Sequence, residues 1–410
     1  MRQSTALKYI ARFEYGDALA REVRTDGDVP VFGSNGIAGS HIQSNTLAPA
    51  IIVGRKGSYG KVAWTDVPGF CIDTAFYLDR RHTQANIRWL FWTLQTLGLD
   101  ENSEDTGVPG LSREKAHQEK LWIPTQAEQE RIANFLDAQT GRIDALIAEK
   151  EQLCERLIEL TIADLGHICF GGLSTENMMK TGNTWIPQLP KSWKLVRLKH
   201  LVSGIEQGWS PECEARLAES GEWGVLKAGA ANAGAYRELE HKALPSHLEP
   251  IPELEVKSGD VLVTRASGSI GFVGSFAYVY LTRPQLMLSD KNFRLLFPKI
   301  PLLHPELLAW MCNTYCVRQQ ILQYVSGADG LAKNIGSGSL KELWLALPPM
   351  TEQKVLLEII RCKREASQLL QSHVAEHIDR LREYRSSLIS AAVTGQLDIA
   401  AFENSMLAAA

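Results

Sequence analysis

At about 150 residues per domain, 410 residues suffice for two or three domains, and 45% hydrophobic with 22% charged side chains is the composition of a globular chain. No stretch approaches the roughly 18 apolar residues of a membrane helix, and the first residues lack the apolar core of a secretory signal. Seven irregularly spaced cysteines argue against a disulfide framework and for a reducing cytoplasm. The net charge of −4 offers no basic surplus to a nucleic acid, and residues 121–172 are the acidic stretch, with 4 basic and 9 acidic side chains.

Residues 1–124 read as a globular unit in which short β runs, Ala50–Val53 among them, mix with a helix over about 85–98. Within it, Pro30-Val-Phe-Gly-Ser-Asn-Gly-Ile-Ala-Gly39 predicts a strand and an Asn-Gly turn exposing Ser34 and Asn35. Leu121-Trp-Ile-Pro-Thr-Gln-Ala-Glu-Gln129 closes the unit and opens a helix over 125–165. Its predicted seam is Ile132, Leu136, Gln139, Ile143, Leu146, Lys150, Leu153, Leu157 and Leu160. Glycine and proline punctuation marks 166–186 as a linker. A second unit over 187–347 follows, with a β run at Asp260–Thr264 and a helix over about 305–324. Leu345-Ala-Leu-Pro-Pro-Met-Thr-Glu-Gln353 then repeats the closing motif at an offset of 224. It opens a helix over 348–397, with Leu356, Ile360, Lys363, Ser367, Leu370, Val374, His377, Leu381 and Tyr384 along its seam, and 398–410 remain as a tail.

Other landmarks recur in the same order. Leu7-Lys8 matches Leu198-Lys199, Arg55 matches Arg265, and Gly57-x-x-Gly60 matches Gly268-x-x-Gly271. Asp73-x-x-Phe76-x-Leu78 matches Asp290-x-x-Phe293-x-Leu295, Trp92 matches Trp310, and Gly107-x-x-Gly110-Leu111 matches Gly327-x-x-Gly330-Leu331. A period above 200 residues means a duplicated domain, not a solenoid. The predicted fold is mixed α/β (α+β): two similar globular domains joined by two long antiparallel helices that pair as a coiled coil, a pseudo-twofold dumbbell. Seams of about 29 residues give a rod of about 43 Å, with Leu146 and Leu370 expected to meet.

The chain offers no convincing catalytic constellation. Gly54-Arg-Lys-Gly-Ser-Tyr-Gly60-Lys61-Val62 has five residues between its outer glycines and no Ser/Thr after the lysine, so it is not a Walker loop. It reads instead as a turn between strands that could offer Arg55, Lys56 and Lys61 to a polyanion. His373-Val-Ala-Glu-His377 fits an inverted zinc-peptidase pattern, but His377 falls on the helix seam and no third ligand helix follows. Cys312 and Cys316 lack a second ligand pair at zinc spacing. Asn-Pro-Pro-aromatic, Asp-Pro-Pro-aromatic and Gly-x-Ser-x-Gly motifs are all missing. What remains is binding: Ser34, Asn35, Arg55, Lys56 and Lys61 in the first unit, and Lys227, Arg265, Ser267, Lys291 and Asn292 in the second, have the chemistry that phosphates and base edges require.

Two variable globular units, each ending in apolar–Pro–x–x–x–Glu-Gln and a long helix, resemble the specificity (S) subunit of type I restriction–modification systems. Pro30-Val-Phe-Gly-Ser-Asn-Gly, Gly54-Arg-Lys-Gly, Ile186-Pro-Gln-Leu-Pro-Lys-Ser-Trp193-Lys and Leu388-Ile-Ser-Ala-Ala-Val-Thr-Gly395 look like segments common in that family. One departure is that the first unit lacks the Pro-x-x-Trp lead-in of the second, which predicts a missing edge strand. The resemblance implies two target-recognition domains, each reading half of a bipartite double-stranded DNA target. It also implies helices that set the spacing and dock two methyltransferase subunits, with endonuclease subunits joining the full complex. S-adenosylmethionine, and the ATP and Mg used in restriction, would belong to those partners, leaving this chain non-enzymatic. The alternative is a coiled-coil adaptor whose two heads bind proteins.

Overall fold

The computed structural model describes residues 4–101, 110–172, 177–327 and 332–409. The chain divides into two units, one of residues 1–152 with 374–410 and one of 153–373.

In the first unit, strands β1 (Ser4–Ala6), β2 (Glu14–Tyr15), β3 (Val29–Gly33), β4 (Gly36–His41), β5 (Ala50–Gly54), β6 (Val62–Thr65), β7 (Phe70–Cys71) and β8 (Ala75–Asp79) precede helix α1 (Ile87–Leu94). Helix α2 (Arg113–Gln118), strand β9 (Lys120–Trp122) and the long helix α3 (Gln126–Gly171) follow. The run Ala-Ile-Ile-Val-Gly of β5 is buried on both faces, and accordingly it lies inside the four-stranded sheet β2-β8-β5-β6. A second sheet, β4-β3-β7, contains the parallel pair β3–β7.

The second unit repeats this plan. After a hairpin of β10 (Met178–Lys180) and β11 (Gln188–Pro190) come β12 (Lys194–Arg197), β13 (Gly204–Gln207), β14 (Gly224–Leu226), β15 (His241–Ala243), β16 (Val261–Thr264), β17 (Ala266–Ser267), β18 (Phe276–Tyr278), β19 (Leu286–Met287) and β20 (Asn292–Leu296). Helices α4 (Pro305–Cys312) and α5 (Tyr315–Tyr324), strand β21 (Lys333–Asn334), helix α6 (Ser337–Lys341), strand β22 (Trp344–Leu347) and helix α7 (Met350–Val393) as far as residue 373 complete it; the rest of α7 and α8 (Ile399–Ala409) belong to the first unit. Sheets β13-β20-β16-β18 and β15-β14-β19 copy the strand orders of the first unit, down to the parallel pair β14–β19.

The repeated landmarks mark equivalent contacts. Leu7 N–H donates to the Glu119 carbonyl at 2.8 Å and Leu198 N–H to the Leu343 carbonyl at 2.9 Å. The Glu-Gln motif also gains a reason. Gln129 and Gln353 are buried; each donates to the carbonyl of its preceding proline, Pro124 or Pro348, at 3.0 Å. Each also accepts from the residue that caps the globular helix, Asn86 at 2.7 Å and His304 at 2.9 Å. The glutamine thus ties the head to the start of its long helix.

Its glutamate neighbour differs between copies. Glu128 accepts from Thr125 N–H at 2.8 Å and Thr125 Oγ1 accepts from Glu128 N–H, a capping box. Pro349 stands where Thr125 would be, and Glu352 instead accepts from Trp193 Nε1 at 2.8 Å. The Pro-x-x-Trp lead-in and the lost capping box therefore go together. The predicted missing edge strand is not missing: β1 pairs antiparallel with β9 as β12 does with β22.

Several boundaries move. Helix α3 runs through the start of the predicted linker to Gly171, because Leu165, Ile168 and Cys169 are buried in the second unit's core. The predicted tail is helical from Ile399, where the Asp398 carboxylate accepts from Ala401 N–H. The single helix predicted over 305–324 is two, broken after Cys312. The match of Gly60 to Gly271 is also displaced. Gly60 N–H donates to the Gly54 carbonyl as Gly274 N–H does to that of Thr264, and both glycines sit at positive φ, 75° and 70°. Of the repeat Gly107-x-x-Gly110-Leu111/Gly327-x-x-Gly330-Leu331, residues 107, 330 and 331 lie outside the described residues.

The long helices pair antiparallel. Arg385 donates to Asp144 and Arg382 to Glu151 in the first unit; Lys363 pairs with Asp164 and Thr161 with Ser367 in the second. Ile132, Leu136, Ile143, Leu356, Ile360 and Val374 are buried, and Leu157 and Leu381 half-buried. Leu146, Leu153 and Leu370 are not seam residues: they stand exposed, as does Leu160. The seam uses the next residue instead, Ile147, Cys154, Thr161, Arg364, Gln371 and Ile378, about 100° further round the helix. Nor do Leu146 and Leu370 meet. They correspond under the 224-residue repeat, whereas facing residues sum to about 528, and the two relations coincide only near Gln152 and Glu376.

Candidate nucleic-acid interface

In the first head, the β3–β4 turn and the β5–β6 loop bring three predicted residues together. Lys61 Nζ donates to Asn35 Oδ1 at 2.8 Å, and Ser34 lies beside Asn35 in the turn. Close approach of these loops needs Gly54, where a Cβ would lie 2.2 Å from the Ser58 carbonyl oxygen and 3.0 Å from that of Ser34. Arg55 and Lys56 leave the same loop, and both backbone N–H groups donate to the Thr74 carbonyl. Arg55 Nη1 donates to the Asp73 carbonyl at 3.0 Å, and its guanidinium stacks 4.8 Å from the Tyr15 ring. Arg113 stacks on the same ring at 4.6 Å. Sequence reasoning missed Tyr15 and Arg113, which only the fold gathers around Arg55.

The second head builds the same arrangement. Arg265 Nη1 donates to the Asp290 carbonyl at 3.0 Å, its N–H to the Lys291 carbonyl, and its guanidinium lies 5.8 Å from the Phe293 ring. Arg55 with Asp73 and Phe76, and Arg265 with Asp290 and Phe293, are thus one constellation used twice. Ser267 follows on β17, its Oγ accepting from Ser269 N–H. Lys291 pairs with Asp290 at 3.2 Å and Lys227 with Glu240 at 4.0 Å. Burial pushes the Asp290 carboxyl up, but the Ser210 hydroxyl and Lys291 outweigh it and hold the group below its ordinary value.

Asn292 does not belong on this surface. It is fully buried, and its amide donates to the Lys227 carbonyl at 2.9 Å and to Ser289 Oγ at 3.0 Å. It supports Lys227 from beneath, and no ligand reaches it. His373 and His377 are exposed on α7, Cys312 is buried packing, and among the described residues no group of His, Cys, Asp or Glu could hold a metal ion. All seven cysteines are free. No described helix is long and apolar enough to cross a membrane.

Residues 5–156 match the family described as the Type I restriction modification DNA specificity domain. The chain is 32% identical over 204 residues to the type I restriction enzyme EcoEI specificity subunit of Escherichia coli, a stretch covering 46% of this chain and 33% of that one. It is 24% identical over 277 residues to the EcoKI specificity subunit of Escherichia coli (strain K12), covering 67% and 57%. The aligned stretches thus span a third to somewhat over half of these relatives. A solved chain from work on complex assembly and conformational transition of the type I R-M system superposes with a TM-score of 0.67 at 13% identity, covering 96% of this chain and 98% of that one. The first unit thus matches the type I restriction–modification DNA specificity domain, the second unit builds the same arrangement again, and the chain shares the overall fold of that solved chain.

Proposed function

We propose that this chain is the DNA sequence-specificity subunit of a type I restriction–modification complex. Each head reads one half of a bipartite double-stranded DNA target, and the paired helices fix the distance between the halves. The observation that carries this reading is the Arg55/Arg265 constellation, the same guanidinium, carbonyl and phenylalanine ring built in each head beside lysines. Lys56, Lys61, Lys227 and Lys291 supply phosphate contacts; Ser34, Asn35 and Ser267 are the short polar groups that reach base edges.

The helices dock two methyltransferase subunits, and endonuclease subunits join the larger assembly. What supports docking is apolar surface that the helix pairing leaves exposed in the second unit, Leu153 and Leu160 on α3 and Leu369 and Leu370 on α7. S-adenosylmethionine, ATP and Mg are held by those partners, and this chain, working in the cytoplasm, catalyses nothing itself. Gel shifts with and without a co-expressed methyltransferase test the assignment, as does the methylome of a host carrying the gene and its partner against one lacking the gene. A new bipartite methylated motif is expected. Identical methylomes would refute it, and heads that bind protein but never DNA would support an adaptor.

A further inference from the structure

The two heads are fastened to their long helices at the same place by ion pairs of opposite polarity. Asn86 and His304 are equivalent caps, since each N–H donates to the anchoring Gln129 or Gln353. Two residues further, α1 carries Arg88 where α4 carries Glu306. Eight residues past each glutamine, α3 carries Asp137 where α7 carries Arg361. Arg88 Nε donates to Asp137 at 2.8 and 3.1 Å. In the second unit the direction reverses, and Arg361 donates through Nε to Glu306 at 3.0 Å and through Nη2 to its other oxygen.

The head-side member of each pair is the confined one, whereas Asp137 and Arg361 on the helices are partly exposed. Arg88 is packed 4.5 Å from the Trp64 ring, 4.7 Å from Phe91 and 5.2 Å from Trp92, while Trp92 Nε1 donates to Asp137 at 2.8 Å. The Glu306 side chain is wholly buried and also accepts from the Tyr280 hydroxyl at 2.7 Å. Seating the first head on α7 would set Arg88 against Arg361, and seating the second on α3 would set a buried Glu306 against Asp137. Like charges at hydrogen-bond distance in such a site repel strongly. The helix pairing follows the same logic. In Asp144–Arg385, Glu151–Arg382 and Asp164–Lys363, the acid is always on α3 and the base always on α7, so two copies of α3 would lose every one of these pairs.

We propose that the reversed pair Arg88–Asp137/Glu306–Arg361 is an identity key: each long helix accepts only its own head. The acid-to-base polarity between helices favours pairing an α3 with an α7 over pairing two helices of the same kind. The key does not depend on what the heads bind.

Chimeras of the full chain test it. Residues 195–347 replace residues 4–123, so that the second head sits on α3, with Asp137 kept or changed by Asp137→Arg. With Asp137 kept, the grafted head should melt early and exchange its amide protons rapidly; D137R should raise its Tm by about 5 °C or more. In case both chimeras misfold, the native chain carries the same test as two double-mutant cycles. R88E and D137R singly, and E306R and R361E singly, should each lower Tm, and each reversed pair together should recover at least half of the loss. Recovery falls short of complete in the first unit because Arg385 lies 5.7 Å from the Trp92 ring, close to the new arginine. A chimera indifferent to residue 137, or additive losses in both cycles, would overturn the key.

Discussion

The two heads share strand order, helix anchors and the arginine constellation, yet their cations face different neighbours. In head one, Lys61 holds the neutral Asn35, Arg55 a backbone carbonyl, and neither they nor Lys56 pairs with a carboxylate among the described residues. In head two, Lys227 faces Glu240 and Lys291 faces Asp290. The shared parts are those that satisfy buried backbone, where a change leaves a polar group stranded. At the tips the divergent parts are surface charges, whose exchange costs the fold little; the reversed Arg88–Asp137 and Glu306–Arg361 pairs are the exception, partly buried at Arg88 and wholly at Glu306. Duplication has preserved the scaffold and released the tips, which is what the proposed reading of two different half-sites requires.

The anchoring glutamines should give the largest effect. Gln353 makes three hydrogen bonds, to His304 N–H and to the carbonyls of Leu302 and Pro348, whereas Gln129 makes two, to Asn86 N–H and the Pro124 carbonyl. Stranding a buried polar group costs about 1–3 kcal/mol. Gln353→Ala should therefore destabilise its unit by about 3 kcal/mol or more and Gln129→Ala by about 2 kcal/mol, read from denaturant midpoints. Equal losses would show that the Leu302 contact contributes nothing and would break the comparison at its most conserved point.

The Glu306 bridge adds a pH dependence to head two. Burial pushes its carboxyl up, but the hydrogen bond from Arg361, that from Tyr280 and the arginine's charge prevail, and the net direction is below 4.5. A depressed acid stabilises the fold above its unfolded value and loses that contribution as pH falls through the folded one. The second unit should thus lose stability on acidification below about pH 4.5, and Glu306→Gln should flatten that limb while lowering stability at neutral pH. Hydrogen exchange on α4 would follow it; an unaltered acid limb in the variant would sink the assignment.

How much of this was legible in the sequence depends on what each residue touches. The repeat offsets located Arg55/Arg265, Asp73/Asp290 and the Glu-Gln anchors because those contacts lie on the duplicated backbone. The seam was legible only to within one residue. Ile143, Lys150 and Leu157 fit both candidate stripes, and leucines at 146, 153 and 160 outweighed the smaller Cys154 and Thr161 that the close helix approach uses. Asn292 looked like a loop tip after Asp-Lys; the Lys227 carbonyl that draws its amide inward is 65 residues away, beyond any local pattern. Glycines 166 and 171 looked like punctuation, yet α3 continues past Gly166 and ends only at Gly171, since Leu165, Ile168 and Cys169 are buried there.

A smaller effect should separate the heads in the phosphate contacts proposed for them. With the methyltransferase bound, Lys56→Ala/Lys61→Ala should reduce the salt slope of DNA binding by about 2, near 0.9 per phosphate. Lys227→Ala/Lys291→Ala should reduce it by about 1 or less, because each lysine must first leave a carboxylate. Equal reductions would show that the ion pairs of head two do not persist beside DNA.

The smallest change to either head comes from lengthening the helices between them. Because facing residues sum to about 528, a matched insertion belongs where repeat and pairing coincide, after Gln152 in α3 and after Ala375 in α7. Seven residues at each site return every downstream side chain to its face and preserve Asp144–Arg385 and Asp164–Lys363. The pair lengthens by about 10.5 Å at 1.5 Å per residue, or about 3 base pairs at 3.4 Å each. Both half-sites should stay as they are, with affinity for each unchanged, while the undefined gap in the methylated motif grows by about 3 base pairs. Inserting at Leu146 and Leu370 instead would put the two insertions out of opposition and separate Glu151 from Arg382, so only the matched variant is expected to remain active. An active matched variant that methylates the original spacing would mean that the helices do not measure the distance between the half-sites.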